Sequence, residues 1–299
     1  MQLEHILLFY KIANEKSISK VASSNHISQP ALSQQMQKLE EEVGQRLLER
    51  SNRGIELTSA GVIMQKYAAQ FLQLYDNLQE DLENLQANFG TVRITATSVA
   101  ASYALPCSLF KVKQRFPVYN FSLNAINSAE VINRVKTGAT DIGFVVGKTD
   151  EPDIICTEAF SDKIYLVAKA DYNIKDNILK KELYKYPLIM LNESFSSYRL
   201  VKEYIIEQGI AADKLKIMCH LDSTESVKSA VMSQHGLAFL PYMAMKKELY
   251  QKQLKIINLE DFDLNYDVYS IHRTKAEIGN DKLYEVIKYF ITTVNKSIC

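Results

Sequence analysis

A change of period near residue 90 constrains this chain more than any other feature. Before it, apolar residues recur at helical spacing. After it, short apolar runs alternate with helical stretches. "VRITATS" reads as a strand, 103–115 as a helix, "FSLNAI" as a strand, 129–137 as a helix and "DIGFVVG" as a buried strand. "DKIYLVAKA", "PLIMLN", "KIMCHL", "GLAFLP", "LKIINL" and "YDVYSIHR" continue the strands, with helices at about 197–208, 224–234 and 281–294. Such alternation predicts an α/β unit with largely parallel sheets and ligands at the strand ends. Residues 90–299 suffice for two lobes, one at about 90–161 and 266–299, the other at about 162–265.

Charge says little globally and more locally. The 35 Lys and Arg balance the 35 Asp and Glu, so no net field advertises a nucleic-acid partner. Yet between Lys16 and Leu39 there are three lysines (Lys16, Lys20, Lys38) and no acid, and Arg46, Arg50 and Arg53 follow, diluted only by Glu49. No apolar run reaches the ~18 residues a membrane span needs. "MQLEHILLFYKIANEK" has acids at Glu4 and Glu15 and no basic segment before its short apolar core, so no secretory leader is expected. Four cysteines (Cys107, Cys156, Cys219, Cys299) with no CxxC pair fit a reducing cytoplasm better than a disulfide framework or a zinc site.

The first 58 residues spell out a small helical domain. Leu3 to Glu15 carries apolar residues at 3, 6, 7, 9, 10, 12 and 13, which suits a helix packed on more than one side. Ser17 is placed to cap a short helix over Ile18–Ser24, and Asn25-His26 makes a turn, since Asn tolerates left-handed geometry. Ser28 caps the next helix, and Pro30 falls in its first turn, where no intrahelical N–H is needed. Ala31, Leu32, Met36 and Leu39 give that helix an apolar face, and Gly44 ends it. Two short helices, a tight turn and a polar second helix make a helix-turn-helix. Two short strands, 48–50 and 55–57, joined by Ser51-Asn52-Arg53-Gly54, then form a wing hairpin.

The polar helix is asymmetric. Its exposed N-terminal positions, Gln29, Ser33, Gln34 and Gln37, carry donors and no acid, whereas Glu40, Glu41 and Glu42 crowd the other end. Gln pairs with the edge of adenine, Ser reaches bases or phosphates, and the helix N-terminus favours phosphate. Lys16, Lys20, Arg50 and Arg53 are placed to hold phosphates, which positions a helix without reading sequence. A solvated polar face is the plainer account of a Gln-rich stripe. Glu40 to Glu42 are expected to be solvated or paired with Lys38, Arg46 or the first helix.

Thr58 or Ser59 starts a long helix to about residue 88. Its stripe of Tyr67, Phe71, Leu74, Leu78, Leu82, Leu85 and Phe89 alternates spacings of three and four, close to a heptad. A lone helix with one narrow apolar stripe needs a partner. A second copy of itself is the economical one, and packing on its own domain is the plainer one.

"SISKVASSNHISQPALSQQMQKLEEEVGQRLLERSNRGIELTSAG" resembles the winged helix-turn-helix of LysR-type transcriptional regulators. SQPALS, the LE three residues beyond Met36, Gly44, the Arg50 and Arg53 wing and LTSAG ending at Gly61 carry the likeness over about sixty residues. Asn25 stands where the family usually has Leu, and Leu48 where it usually has Phe; both touch local packing and not the DNA-facing set. "ATSVAASYALP" and "DIGFVVGKTDEPDI" look most like the branch holding regulators of cysteine and sulphur assimilation and of carbon fixation. The resemblance implies an α+β multidomain protein: a winged helix-turn-helix at 1–58, a linker and dimerisation helix at 59–89, and a two-lobed periplasmic-binding-protein-like effector domain at 90–299. DNA contacts would come from Lys16, Lys20, Ser28, Gln29, Pro30, Ser33, Gln34, Gln37, Arg50 and Arg53. Dimerisation would use Phe71, Leu74, Leu78, Leu82 and Leu85.

A second site is written at three strand-to-helix junctions: Thr97 and Ser98, Ser196 and Ser197 with Arg199 nearby, and Ser223 and Thr224. Three such junctions can converge on a small anion between lobes, and three helix caps can equally stand without a ligand. The family's effector cleft uses the positions of Thr97, Ser98, Ser196 and Thr224, which favours the first account. Arg199 would pair with the effector or, more simply, with Glu203. Other chemistry finds no support: the five histidines (His5, His26, His220, His235, His272) show no HxH or HExxH spacing, and no nucleotide fingerprint or GxSxG is present. His220 and Asp222, an H-x-D at a strand end, read as structural, and Asp141 as a cap or turn residue at a strand start.

The expectation is therefore a cytoplasmic regulator, not an enzyme, with no cofactor or metal. Its partners would be double-stranded promoter DNA, an anionic small-molecule effector, a second copy or three further copies of itself, and RNA polymerase, with no membrane. The alternative is a cytoplasmic small-molecule-binding module or enzyme whose N-terminal part only dimerises. Phosphate contacts release counterions, so Arg53→Ala should weaken binding to every DNA sequence and flatten the salt dependence of the association constant by about one unit. A titration of promoter DNA across salt concentrations that returns an unchanged slope would contradict the phosphate role.

Overall fold

Ser17, Ser28 and Thr58 each accept an amide hydrogen from the helix they precede, and these caps set out the first part of the chain. The computed structural model describes residues 2–51, 54–87 and 90–296, without the side chains of 50, 51, 80, 81 and 83–87. It divides into two units, Met1–Glu83 and Asn84–Cys299. Among the described residues no helix is long and apolar enough to cross a membrane.

In the first unit α1 (Leu3–Glu15), α2 (Ile18–Ser24) and α3 (Gln29–Val43) enclose a core of Phe9, Ile12, Val21, Leu32, Met36 and Leu39. Removing these side chains from water stabilises the unit by roughly 1.5–3 kcal/mol for each large one. Ala31, expected on the apolar face of α3, is exposed; Leu32, Met36 and Leu39 carry that face alone. The turn between α2 and α3 takes its left-handed residue at His26 (φ 56°) and not at Asn25. Asn25 instead uses its amide, donating to the Val21 carbonyl at 2.7 Å and accepting from Lys11 Nζ at 2.7 Å. Asn25 thus forms a polar clasp between α1 and α2.

Strands β1 (Leu48–Ser51) and β2 (Gly54–Leu57) pair antiparallel as the wing, with Leu48 opposite Leu57; Asn52 and Arg53 lie outside the described residues. One acid of the Glu40–Glu42 run is not solvated. Glu40 Oε1 accepts the backbone N–H groups of Leu47 at 2.7 Å and Leu48 at 3.0 Å, so the C-terminal half of α3 anchors the start of the wing. Helix α4 (Ser59–Ala87) is capped by Thr58, whose hydroxyl accepts from Gly61 N at 2.9 Å and donates to the Arg46 carbonyl at 2.6 Å. Gly61 packs directly on the backbone before the wing: a Cβ there would lie 2.1 Å from the Leu47 carbonyl oxygen.

The second unit is built on one curled sheet in the order β4-β3-β5-β12-β6-β11-β7, with β10 also on β6. Its strands are β3 (Gly90–Ala96), β4 (Tyr119–Ala125), β5 (Ile142–Val146), β6 (Ile154–Lys169), β7 (Asn177–Ile178), β10 (Ala238–Pro241), β11 (Leu254–Leu259) and β12 (Leu264–Arg273); β8 (Pro187–Leu191) and β9 (Lys216–Leu221) form a separate parallel pair. The sheet is mixed where a largely parallel one was expected. Strands β3, β4 and β5 are parallel to one another, but β5 with β12 and β6 with β12, β11 and β10 are antiparallel. The reason is β6: its sixteen residues pair with β12 from Ile154 to Ile164 and carry the chain from one lobe into the other.

Helices α5 (Leu105–Arg115), α6 (Ser128–Lys136) and α11 (Asp281–Lys296) belong to the first lobe, and α7 (Ser196–Glu207), α8 (Thr224–Met232) and α9 (Tyr242–Tyr250) to the second; α10 (Lys275–Ile278) is one turn before α11. A π-helical segment, Ala100–Ala104, precedes α5. Pro106 supplies no N–H to the Ser102 carbonyl, which loosens the turn there. Helix α9 was not anticipated. Its first turn is served by Asp162, buried in β6, whose Oδ2 accepts from Met243 N at 3.4 Å and from the Tyr266 hydroxyl at 3.1 Å. Burial pushes the Asp162 carboxyl above its usual range. Cys156 and Cys219 are free thiols, but Cys107 is disulfide-bonded, against the expectation of unpaired cysteines.

Forcing a methyl group between Gly61 and the Leu47 carbonyl requires the backbone to shift. Gly61→Ala should therefore cost about 1–3 kcal/mol, while Ser59→Ala on the exposed side of the same turn should stay within about 0.5 kcal/mol. Denaturant titration of the two variants by circular dichroism checks this; equal midpoints would show that the contact is not tight.

Candidate functional site

Two sites emerge, one in each unit. The first is the outward face of α3. Gln29, Pro30, Gln34 and Gln37 are exposed, Ser33 is half-buried, and Ser28 Oγ accepts from Ala31 N at 3.3 Å. The free N–H groups of that first turn carry the positive end of the helix dipole. Gln37 donates its amide to Glu41 at 3.2 Å, so its side chain is turned toward the acidic end. Lys16, the left-handed C-cap of α1, and Lys20 are exposed; Lys20 approaches Glu15 only at 3.9 Å. The side chain of Arg50 and the whole of Arg53 lie outside the described residues.

On α4 the expected stripe is bare in the single chain. Phe71, Leu78 and Leu82 are 50%, 53% and 54% exposed, with Ile63 and Tyr67 on the same line a turn or two earlier. Leu74 is half-buried, and the Leu85 side chain and Phe89 lie outside the described residues. Together these residues leave an open apolar line along one face of α4.

The second site is a cavity of about 350 Å³ between the lobes. Thr97 and Ser98, at the end of β3, form one wall, and Ala125, Ile126 and Asn127, at the end of β4, form a second. Ser194, Phe195 and Ser196, at the start of α7, face them from the other lobe with Asp222, at the end of β9. Helix starts therefore surround it. The Thr97 carbonyl accepts from Ala101 N, Asn127 Oδ1 caps α6 by accepting from Glu130 N at 3.0 Å, and Ser223 caps α8 by accepting from Ser226 N at 3.1 Å.

Of the six residues expected there, Thr97, Ser98 and Ser196 line the cavity. Ser197 is buried behind Ser196, and Ser223 and Thr224 stand at the α8 start without lining it. The Thr224 hydroxyl is buried with no hydrogen-bond partner among the described residues. Arg199 is exposed and forms no ion pair with Glu203. Six lining residues escaped sequence reasoning: Ala125, Ile126, Asn127, Ser194, Phe195 and Asp222. Asn127 carried a legible cap pattern; Asp222 had been set aside as structural.

Besides the Tyr266–Asp162 bond at the β6–β12 crossing, two side-chain hydrogen bonds among the described residues span the cleft from lobe to lobe. Ser196 Oγ bonds Ser128 Oγ at 3.1 Å, and the Tyr103 hydroxyl donates to Glu225, the residue after Thr224. Lys228, almost fully buried, holds Glu225 at 2.8 Å and Glu248 at 3.0 Å, with its ammonium 5.3 Å from the centre of the Tyr103 ring. Burial, then the bond to Glu225 and its charge, push the Tyr103 phenol far above its usual range, so it remains a donor. The π-helical segment thus places a fixed donor against the second lobe.

Comparison with known proteins gives these sites a family. Residues 3–62 match the model of the bacterial regulatory helix-turn-helix protein, lysR family, and residues 86–284 match the LysR substrate binding domain. A probable RuBisCO transcriptional regulator of Chlorokybus atmophyticus is 30% identical, over 88% of this chain and 86% of its own length. Among solved structures, CbnR, a LysR family transcriptional regulator, superposes with a TM-score of 0.74 at 18% identity and 99% coverage of both chains, and its full-length complex with target DNA with 0.71. The regulatory domain of Synechocystis PCC6803 CcmR in complex with 2-PG superposes at 0.60 and 18% identity, over 69% of this chain and 97% of that one. With both of its parts matched, the chain is a member of the LysR family of transcriptional regulators, a helix-turn-helix DNA-binding domain followed by an effector-binding domain.

Proposed function

We propose that the chain reads promoter DNA with the N-terminal half of α3 and that a small effector in the interlobe cavity controls this binding. The observation that carries the first half is the exposed, acid-free, donor-rich start of α3. Gln29, Ser33 and Gln34 address base edges, with Gln37 once it leaves Glu41. Ser28 and Pro30 open the helix toward the backbone, and Lys16, Lys20, Arg50 and Arg53 hold phosphates. Pairing along α4 through Phe71, Leu74, Leu78, Leu82 and Leu85 makes a homodimer, which reads an interrupted palindrome; a dimer of dimers extends it. That CbnR has been solved on its target DNA supports this role. The names of the relatives support genes of carbon fixation as the target; RNA polymerase would be the next partner, in a cytoplasmic setting.

The effector carries an anionic group, seated by Thr97, Ser98 and Ser196 and by the helix starts at Ser197, Ser223 and Thr224. CcmR's complex with 2-PG supports an effector of this kind. The cavity is a binding site and not a catalytic one: Ser128 and Ser196 bond each other and Ser223 caps a helix, an arrangement that fixes a ligand without activating a nucleophile. Because both lobes contribute, the ligand favours one interlobe arrangement, and it shifts DNA binding by the difference in its affinity for the two.

Two outcomes are expected. Gln34→Ala should lose about 1–3 kcal/mol of discrimination at one or two operator positions, while random DNA binds as before; equal loss on both, measured by fluorescence anisotropy, would show that Gln34 only positions the helix. Thr224→Val removes a buried hydroxyl with no partner and replaces it by an isostere, which is close to neutral for folding. The variant should keep the apo melting temperature and lose ligand-induced stabilisation; stabilisation that persists would place the effector away from α8.

A further inference from the structure

The interlobe cavity offers many donors, one carboxylate and no cation. Asp222 is the single acidic side chain in its lining, and no Lys or Arg contributes. Asp222 directly precedes the α8 cap, where a carboxylate is ordinarily spent on helix amides, but Ser223 already fills that role. Its own side chain is exposed and, among the described residues, forms no hydrogen bond or ion pair. The basic residues nearest in sequence do not offset it: Lys228 is committed to Glu225 and Glu248, and Arg199, one turn beyond Ser196, is exposed and absent from the lining.

The fields in the cavity therefore oppose each other. Hydroxyls and helix starts, each with a fraction of a positive charge, suit one anionic group of single charge. A phosphate ester, a sulfate or a dicarboxylate would bring a further negative charge into a cleft with no counter-cation, against Asp222. A cationic group solves both halves at once. Ala125, Ile126 and Phe195 supply an apolar side, and a cavity of about 350 Å³ is at the small end of ligand pockets.

Resting on the effector reading of this cleft, we infer that the ligand is a zwitterion of amino-acid size, its carboxylate at the Thr97, Ser98 and Ser196 hydroxyls and its ammonium group at Asp222. An α-amino acid or a close relative meets this description, and a doubly charged anion does not.

The test uses the full chain and three sets of probes: the standard amino acids, their deaminated monocarboxylate counterparts, and a set of succinate, malate and 2-phosphoglycolate. Thermal shift finds binders, and isothermal titration measures them. At least one amino acid should bind, its deaminated counterpart should bind at least ten-fold more weakly, and Asp222→Asn should weaken the amino acid by a similar factor. Arg199→Gln should leave the ranking unchanged. Tighter binding of succinate, malate or 2-phosphoglycolate than of any amino acid would overturn the inference and leave the effector reading standing. So would an Asp222→Asn variant that binds the amino acid as well as before. A chain stabilised by none of the three sets would overturn the effector reading itself, and this inference with it.

Discussion

An α-helix begins with amide hydrogens that none of its own residues can accept, and this chain is organised around that debt. In the first unit Ser17, Ser28 and Thr58 settle it from the position just before each helix. Ser28 settles only part of it and leaves the start of α3 open outward, toward where phosphate would lie. In the second unit the same need recurs around one cavity, where Thr97, Asn127, Ser196 and Ser223 all stand at helix starts. Both sites are thus places where helix starts meet solvent. The first has a local set of lysines and arginines beside it and the second has none in its lining, so a chain with equal numbers of acidic and basic residues can still receive negative charge at both.

Residues whose partners are close in sequence were legible. Ser28, Pro30, Leu32, Met36 and Gly44 mark out α3 because cap, first turn, core face and stop all fall within seventeen positions. Thr97, Ser98 and Ser196 were legible as junctions for the same reason. Partners distant in sequence were not. Glu40 reads as solvated or paired with a nearby basic residue or the first helix, because nothing local shows that the Leu47 and Leu48 amides need an acceptor. Helix α9 escaped because its first-turn acceptor, Asp162, sits eighty-one residues earlier than Met243. That same Asp162, with Lys163, interrupts the apolar run of β6 and hid half of the strand, and with it the antiparallel pairing. Asp222 was visible as a residue but not as a lining residue, since its place opposite Thr97 and Asn127 comes from the packing of two lobes.

The two lobes are joined by connections of different stiffness. The β6–β12 ladder is continuous backbone and fixes their connection. The Ser128–Ser196 bond is a neutral pair at the edge of the cavity, worth about 0.5–1.5 kcal/mol by usual measures. The Tyr103–Glu225 bond is charge-assisted and backed by buried Lys228. A ligand that bonds Ser196 competes with the weak link and leaves the strong one in place. The lobes therefore have a fixed side and a yielding side.

The contact between Gly61 and the Leu47 carbonyl carries a consequence for signalling. No side-chain atom separates the first turn of α4 from the strand that begins the wing, and Glu40 ties that strand to α3. Wing, reading helix and the root of α4 therefore turn together, as teeth cut on one shaft. A displacement of the first turn of α4 is passed on whole to the wing and α3, with no soft side chain to absorb it.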